Sequence, residues 1–319
     1  YPLFHYQPYE LALSSKLVDT VKIHKIEVLH VHYAIPHAYA AYMAKKMLLE
    51  EGINLPIVTT LHGTDITLVG SHQFYKPAVT FSINKSDAVT SVSQNLKDDT
   101  LRLFNIKREI EVVPNFIDLG KYSHSFTDCQ REMMACPDEK IITHISNFRP
   151  VKRINDIINV FYNIQKEIPA KLMMVGDGPE KEPAERLCEK LGIEDKVIFF
   201  GKSREIDKIL CFSDLFLLPS ESESFGLAAL EAMACAVPVI SSDTGGIPEV
   251  NKHGVSGFLS NVGDVEDMTK NALYILQNED VLKTFKTNAR IEASKFDIHN
   301  IVPFYEAIYK TVLNKMSLV

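Results

Sequence analysis

Glu223 and Glu231 stand eight residues apart in the run PSESESFGLAALEAMA, residues 219–234. The run leaves an apolar strand, LFLLP, and enters a helix, so Phe225, Gly226 and Leu227 fall where that helix begins. First-turn amides without partners, together with the positive end of the helix dipole, suit a phosphate. Gly226 lets a ligand come close to the backbone. Glu231, about two turns in, is placed to accept hydrogen bonds from ribose hydroxyls, and Glu223 from those of a sugar. Taken alone, the same run also describes an ordinary strand–loop–helix with solvated glutamates.

A second run, HISNFRPVKR (144–153), also follows a strand. It presents Asn147, Arg149 and Lys152 past the strand's C-terminal end, the edge where open α/β sheets bind ligands. Two cations there can neutralise a diphosphate leaving group, and a solvated basic turn is the alternative. VGDGPE (175–180) and FFGKS (199–203) repeat the strand–glycine layout around Gly176 and Gly201. Neither is a GxGxxG fingerprint or a P-loop, and each supports only a tight turn.

In the first half, TTLHGTD (59–65) follows a strand and projects His62, Gly63, Thr64 and Asp65 beyond it. His62 can hydrogen-bond hydroxyls or stabilise charge at a reacting carbon. VHYAIPHA (31–38) supplies His32, Tyr33 and His37. Strand alternation puts His30 and His32 on one face. No carboxylate or cysteine completes a metal site, so no metal is expected.

These runs need strands to end them and helices to start them. Apolar, β-branched stretches at 28–32, 57–61, 88–92 and 110–113 read as strands, as do 141–146, 171–175, 197–200, 215–218 and 237–241. Amphipathic stretches at 36–49, 154–167, 179–190, 227–234 and 301–315 read as helices. The alternation predicts parallel sheets covered on both faces. A polar stretch, YSHSFTDCQREMMACPDEK, reads as a linker between two doubly wound domains. The expected division is 1–120, 121–296, and a C-terminal helical segment 297–319 returning to the first domain. The first domain has fewer strands than the second and shows no opening strand or glycine-rich turn before Val28. Its start is therefore expected to be missing.

At 319 residues the chain suits two domains. A formal net charge of −7 argues against a broad nucleic-acid surface. No apolar run is long enough to cross a bilayer. The five cysteines (Cys129, Cys136, Cys188, Cys211 and Cys235) never form CxxC and read as reduced thiols of a cytoplasmic protein.

Together, the glutamate pair flanking FG, SNFRPVKR, VGDGPE, TLHGTD and VPNFID (113–118) resemble glycosyltransferase family four over nearly the whole chain. Within that family, HVHYAIPHA, TTLHGTDIT, HISNFR, ESFGL, EAMAC and GGIPEV are similar to a branch that moves N-acetylglucosamine from UDP-GlcNAc to the hydroxyl of L-malate, the first step of bacillithiol biosynthesis, with retained α configuration. The resemblance implies a GT-B fold, two Rossmann-like domains facing a cleft, with no obligatory metal or cofactor. It implies that Glu231 binds the ribose. Glu223 and the backbone of Phe225, Gly226 and Leu227 would hold the sugar and its phosphate. Arg149 and Lys152, with Asn147 and Gly176 nearby, would grip the diphosphate. His62 would sit beside the donor sugar, with Tyr33, Thr60 and Asp65 on the acceptor side. A homodimer is compatible with it. The branch carries RFGIE where residues 80–84 read TFSIN, which removes an arginine suited to a dicarboxylate, with Lys76 near enough to substitute. Ala236 stands where many relatives have glycine, a change expected to be tolerated. A family-four transferase with another sugar or lipid acceptor, and a nucleotide-sugar-binding module without catalysis, are the competing readings.

Overall fold

The computed structural model describes residues 9–122 and 131–317. The chain divides into two units, Tyr1–Pro114 with Ile301–Val319, and Asn115–Asn300.

In the first unit four parallel strands lie side by side in chain order: β1 (Leu29–His32), β2 (Ile57–Leu61), β3 (Ala88–Ser91) and β4 (Ile110–Val112). Every residue of β2 is buried, as its unbroken IVTTL run requires. Helices α1 (Tyr9–His24) and α2 (Tyr39–Glu50) pack on each other through Val21, Ala41 and Leu48. α3 (Lys76–Lys85) and α4 (Gln94–Leu103) make the next crossovers, and Ser93 caps α4 by accepting the Leu96 N–H.

The second unit holds six parallel strands: β5 (Lys140–Ser146), β6 (Ala170–Gly176), β7 (Val197–Gly201), β8 (Leu215–Leu218), β9 (Val239–Ser242) and β10 (Gly257–Ser260). Their spatial order is β10-β9-β8-β5-β6-β7. The chain builds outward from β5 to β7, then restarts at β8 on the other side of β5. The topological switch point is therefore between β5 and β8, whose C-terminal loops are the runs that opened the sequence argument. The helices of this unit are α5 (Ile154–Glu167), α6 (Lys181–Leu191), α7 (Ile206–Cys211), α8 (Leu227–Ala234), α9 (Ile247–Val250), α10 (Val265–Leu276) and α11 (Glu279–Ser294), and the last helix, α12 (Ile298–Ser317), belongs to the first unit from Ile301 on. α5 buries Ile154, Ile157, Ile158, Phe161 and Ile164, a helical stripe that seats it on the sheet.

Three sequence expectations need correction. β10 and helices α1, α3, α4, α7, α9, α10 and α11 were not foreseen; α1 buries Ser14 beside Val21, so its stripe is not purely apolar. Parts of the stretch read as a linker are anchored. Arg131 donates to the Phe212 and Glu139 carbonyls and pairs with the buried Asp214 at 2.7 Å. Lys286 supplies Asp214 with a second cation, and together they hold its carboxyl below the usual range against the pull of burial. Finally, Cys211 is disulfide-bonded rather than a thiol, whereas Cys136, Cys188 and Cys235 are free. Cys129 lies outside the described residues.

Ala236 follows the end of α8 at φ +59°, in the left-handed region. A Cβ there costs an L-residue roughly 1–2 kcal/mol, part of which glycine returns as unfolded-chain entropy. Ala236→Gly is expected to stabilise the protein by about 0.5–1 kcal/mol, read as a higher urea midpoint at unchanged m-value.

Candidate active site

At the switch point of the second unit, the loops after β5 and β8 are in contact. The Glu221 N–H donates to the Val151 carbonyl at 2.8 Å. Lys152 Nζ lies 2.5 Å from Glu223 Oε2, and each side chain keeps under a fifth of its surface exposed. Arg149 stands exposed at the start of the 3-10 turn Pro150–Lys152, with Asn147 exposed beside it. Gly226, at φ +94°, is the N-cap of α8 and brings no side chain to cap the helix. The first-turn amides are thus left without an intrahelical acceptor, and no acidic residue occupies that turn. Lys152 and a bare helix N-terminus lie on one edge, with Arg149 in the same loop as Lys152, an arrangement suited to a diphosphate.

The backing of this edge is as specific as its face. His144, fully buried in β5, has Nδ1 2.8 Å from the Leu217 carbonyl and Nε2 2.7 Å from Ser146 Oγ. A carbonyl only accepts, so Nδ1 carries the proton and Nε2 accepts from the Ser146 hydroxyl. Ser146 Oγ in turn accepts the Phe148 N–H. Phe148 sits at φ +37° with its ring wholly buried, so the loop leading to Arg149 is clamped from below. A Cβ on Gly176 would meet the Ser146 carbonyl oxygen at 1.8 Å, and one on Gly178 that of Asn147 at 2.1 Å. Gly176, expected to touch the donor, also has a packing duty: without a Cβ it lets the β6 turn support the β5 loop. The Phe225 ring is likewise buried, edge-on to Phe296 at 5.6 Å, leaving only its backbone for a ligand. Glu231 accepts a hydrogen bond from the Tyr122 hydroxyl at 3.3 Å. Burial pushes its carboxyl up, against that bond.

Gly245 and Gly246 were not read from the sequence as site residues. A Cβ on Gly245 would fall 1.9 Å from the Glu223 carbonyl oxygen, and one on Gly246 2.3 Å from that of Ser224. The Gly246 N–H donates to the Glu223 carbonyl at 2.9 Å. The GG pair just after β9 was the available signal: two glycines before a helix mark a close backbone approach.

In the first unit, the β1 and β2 ends assemble a ring of imidazoles and phenols. His32 Nδ1 is 2.8 Å from His62 Nε2, and Tyr33 lies 5.0 Å from His62 between ring centroids. Asp65, buried, accepts the backbone N–H groups of Ala34, Gly63 and His62. Burial raises its carboxyl and those N–H groups pull it back. Thr60 is fully buried, with its hydroxyl between His30 Nε2 and Thr90. Thr60, expected to face the acceptor, therefore holds the site from behind, whereas Asp65 both braces the loop and lines the adjoining cavity, and Tyr33 and His62 stand at the surface. A cavity of about 730 Å³ opens beside them, lined by Tyr33, His37, Tyr39, Asp65 and Tyr75 among others, with Glu10 at its edge. Lys76 is not in that lining and sits over the Phe104 ring. Among the described residues no group of three or more His, Cys, Asp or Glu is placed to hold a metal ion. No described helix is long and apolar enough to cross a membrane.

Residues 131–292 match the family model of group 1 glycosyl transferases, and residues 1–121 match that of glycosyltransferase family 4. The N-acetyl-alpha-D-glucosaminyl L-malate synthase of Bacillus anthracis is 45% identical over 98% of this chain and 82% of its own length. This chain belongs to glycosyltransferase family four. Its GT-B fold is shared with Anabaena HepE, solved with UDP and glucose, at a TM-score of 0.81 and 22% identity over 94% of this chain and 80% of that one. The sulfoquinovosyl transferase of Arabidopsis thaliana is more distant, 25% identical over 93% of this chain and 59% of its own length.

The buried histidines give this glycosyltransferase an acid limit. His144 is lowered from 6.5 to about 4, chiefly by burial, with the Lys152 charge adding to it. His30 and His62 are lowered to about 4, by burial and by neighbouring imidazoles. Between pH 6.5 and about 4 the unfolded chain binds protons at these sites that the folded chain does not. Stability is full above that window and falls as pH drops through it. His144 alone is worth roughly 3 kcal/mol across the full window. Urea midpoints are expected to be level above about pH 6.5 and to decline from there to about pH 5, and His144→Asn to flatten the slope.

Proposed function

We propose that the protein moves N-acetylglucosamine from UDP-GlcNAc to the hydroxyl of L-malate with retention of configuration. The observation that carries this reading is the 45% identity to the Bacillus anthracis malate synthase, which spans both the donor-side and the acceptor-side runs. The second unit takes the donor: Arg149, Lys152 and the amides of Gly226 and Leu227 hold the diphosphate, Glu231 the ribose, and Glu223 the sugar. Tyr33 and His62 of the first unit serve the sugar and the acceptor.

As the bond from the anomeric carbon to the β-phosphate oxygen lengthens, positive charge grows on the sugar and negative charge on the phosphate. The cations and helix terminus answer the second. The malate hydroxyl attacks the same face that UDP leaves, and its proton passes to the departing phosphate. This route gives retention without the paired carboxylates of a retaining glycosidase; a trapped sugar–protein adduct during turnover would overturn it. The reading places the enzyme in the cytoplasm, to be checked by cell fractionation, and allows a homodimer, to be checked by sizing chromatography.

Thr80 and the lining of the unit 1 cavity favour a second reading. Thr80 spends its hydroxyl on the Lys76 carbonyl, and the cavity has Glu10 and Asp65 but no lysine or arginine in its described lining. An uncharged acceptor would meet less repulsion there than a dicarboxylate. Radiolabelled transfer from UDP-GlcNAc to L-malate, against neutral polyols and lipids, decides between them. Saturable transfer to malate alone supports the proposal, and transfer only to a neutral acceptor replaces it. Donor binding with no transfer to any acceptor rejects both.

A further inference from the structure

We infer that His32 is a positioning residue, which sets through one shared proton whether His62 Nδ1 offers the substrate a proton or a lone pair. The inference deepens the proposed function and rests on His62 serving the sugar. His62 is fixed twice. Its backbone N–H and that of Gly63 are held by Asp65, and Gly63 turns the chain at φ +113°. Its ring has Nε2 committed to His32 Nδ1 at 2.8 Å. Among the described residues no hydrogen bond reaches Nδ1 of His62 or Nε2 of His32. His62 Nδ1 is the nitrogen left for a ligand.

His32 is itself held. Its carbonyl accepts from His37 Nδ1 at 2.5 Å, and its ring lies 4.7 Å from that of His30. His30 is fixed by the Tyr309 hydroxyl at 2.6 Å and by Thr60 at 2.7 Å. The network runs from α12 through β1 to β2, an investment that a solvated histidine does not need.

Proton counting gives the consequence. Burial and the neighbouring imidazoles keep both rings neutral near pH 7. In a neutral pair joined by one hydrogen bond, one nitrogen donates and the other accepts. If His32 Nδ1–H donates to His62 Nε2, then His62 carries its proton on Nδ1. If His62 Nε2–H donates, then His32 carries its proton on Nε2. Either way the two rings adopt the same tautomer, both Nδ1–H or both Nε2–H. A sugar hydroxyl or a developing charge at His62 Nδ1 therefore meets a donor or a lone pair according to which ring of the pair donates, and His62 changes tautomer only together with His32.

The experiment combines histidine ¹⁵N NMR on the full chain with kinetics of three variants. His32 and His62 are expected to show matching tautomer populations; two neutral rings of opposite tautomer, or populations that differ between the rings, would overturn the inference. His32→Ala is expected to lower kcat roughly 10- to 100-fold with a smaller change in donor KM, to leave His62 a tautomer mixture, and to move the acid limb of kcat/KM toward neutral. His32→Asn, whose amide can occupy the Nδ1 position, is expected to restore most of the rate. Equal rates for His32→Ala and the wild type, or equal losses for Ala and Asn, would overturn it, and the NMR stands even if His32→Ala fails to fold. His62→Ala keeps the two questions apart: normal turnover in that variant removes the role of His62 and leaves the tautomer result intact.

Discussion

Lys152→Ala is expected to lower kcat for sugar transfer by roughly 10²–10³-fold, the usual cost of losing one preorganised group aimed at developing charge. Two effects act together. The variant loses the cation that meets the β-phosphate as it departs. It also leaves Glu223, now paired at 2.5 Å with Lys152, as an uncompensated carboxylate at the diphosphate site. Fold stability falls by less than the roughly 3–5 kcal/mol that breaking a fully buried pair costs, because both side chains retain some contact with water. The double variant Lys152→Ala/Glu223→Gln separates the terms. It is expected to recover donor affinity, since the repulsion is gone, but not turnover, since the cation is still absent. Stopped-time transfer assays with donor KM and kcat resolved, alongside a thermal melt, check both halves. Near-normal turnover in Lys152→Ala would remove that residue from the mechanism.

Gly245→Ala is expected to be among the most disruptive small substitutions at the site. Gly245 has φ +57°, and its Cβ would lie 1.9 Å from the Glu223 carbonyl oxygen and 2.9 Å from its carbonyl carbon. Both obstacles are backbone, so the Glu223 loop must move. That movement is expected to destabilise the fold by roughly 2–4 kcal/mol, from left-handed strain plus overpacking. It is expected to slow transfer about 10²-fold in the molecules that remain folded, because the Lys152–Glu223 pair shifts by a large fraction of an ångström. Gly226→Ala is the control. It carries positive φ too, but its Cβ meets nothing closer than 3.6 Å. Melting temperature and specific activity should therefore fall further for Gly245→Ala than for Gly226→Ala.

The elements most legible in the sequence were those whose burial is unambiguous. IVTTL and LFLL became β2 and β8 at the expected bounds, and the isoleucine stripe of α5 did the same. The donor-side runs were legible because a strand end, a glycine and a charged residue sit next to each other in the chain, and a parallel sheet brings such ends to one edge. The Lys152–Glu223 pairing was not, because it joins residues 71 positions apart. Nor was the packing duty of Gly176, since a glycine that admits a ligand and one that admits a neighbouring carbonyl look alike in sequence. Thr60 was misplaced for a related reason. Type and position at a strand end suggested contact, whereas burial turned the Thr60 hydroxyl inward. β10 escaped because GFLS is short and bounded by glycine and serine, and the anchoring of Arg131 because Asp214 is distant in the chain.

The most direct measurement is a crystal structure of the protein with UDP bound. The β-phosphate oxygens are expected within about 3 Å of Lys152 Nζ and of the amides at Gly226 and Leu227, with Arg149 turned toward the diphosphate and the ribose hydroxyls on Glu231. A diphosphate seated away from the β5 and β8 loops, with Lys152 still closed on Glu223, would contradict it.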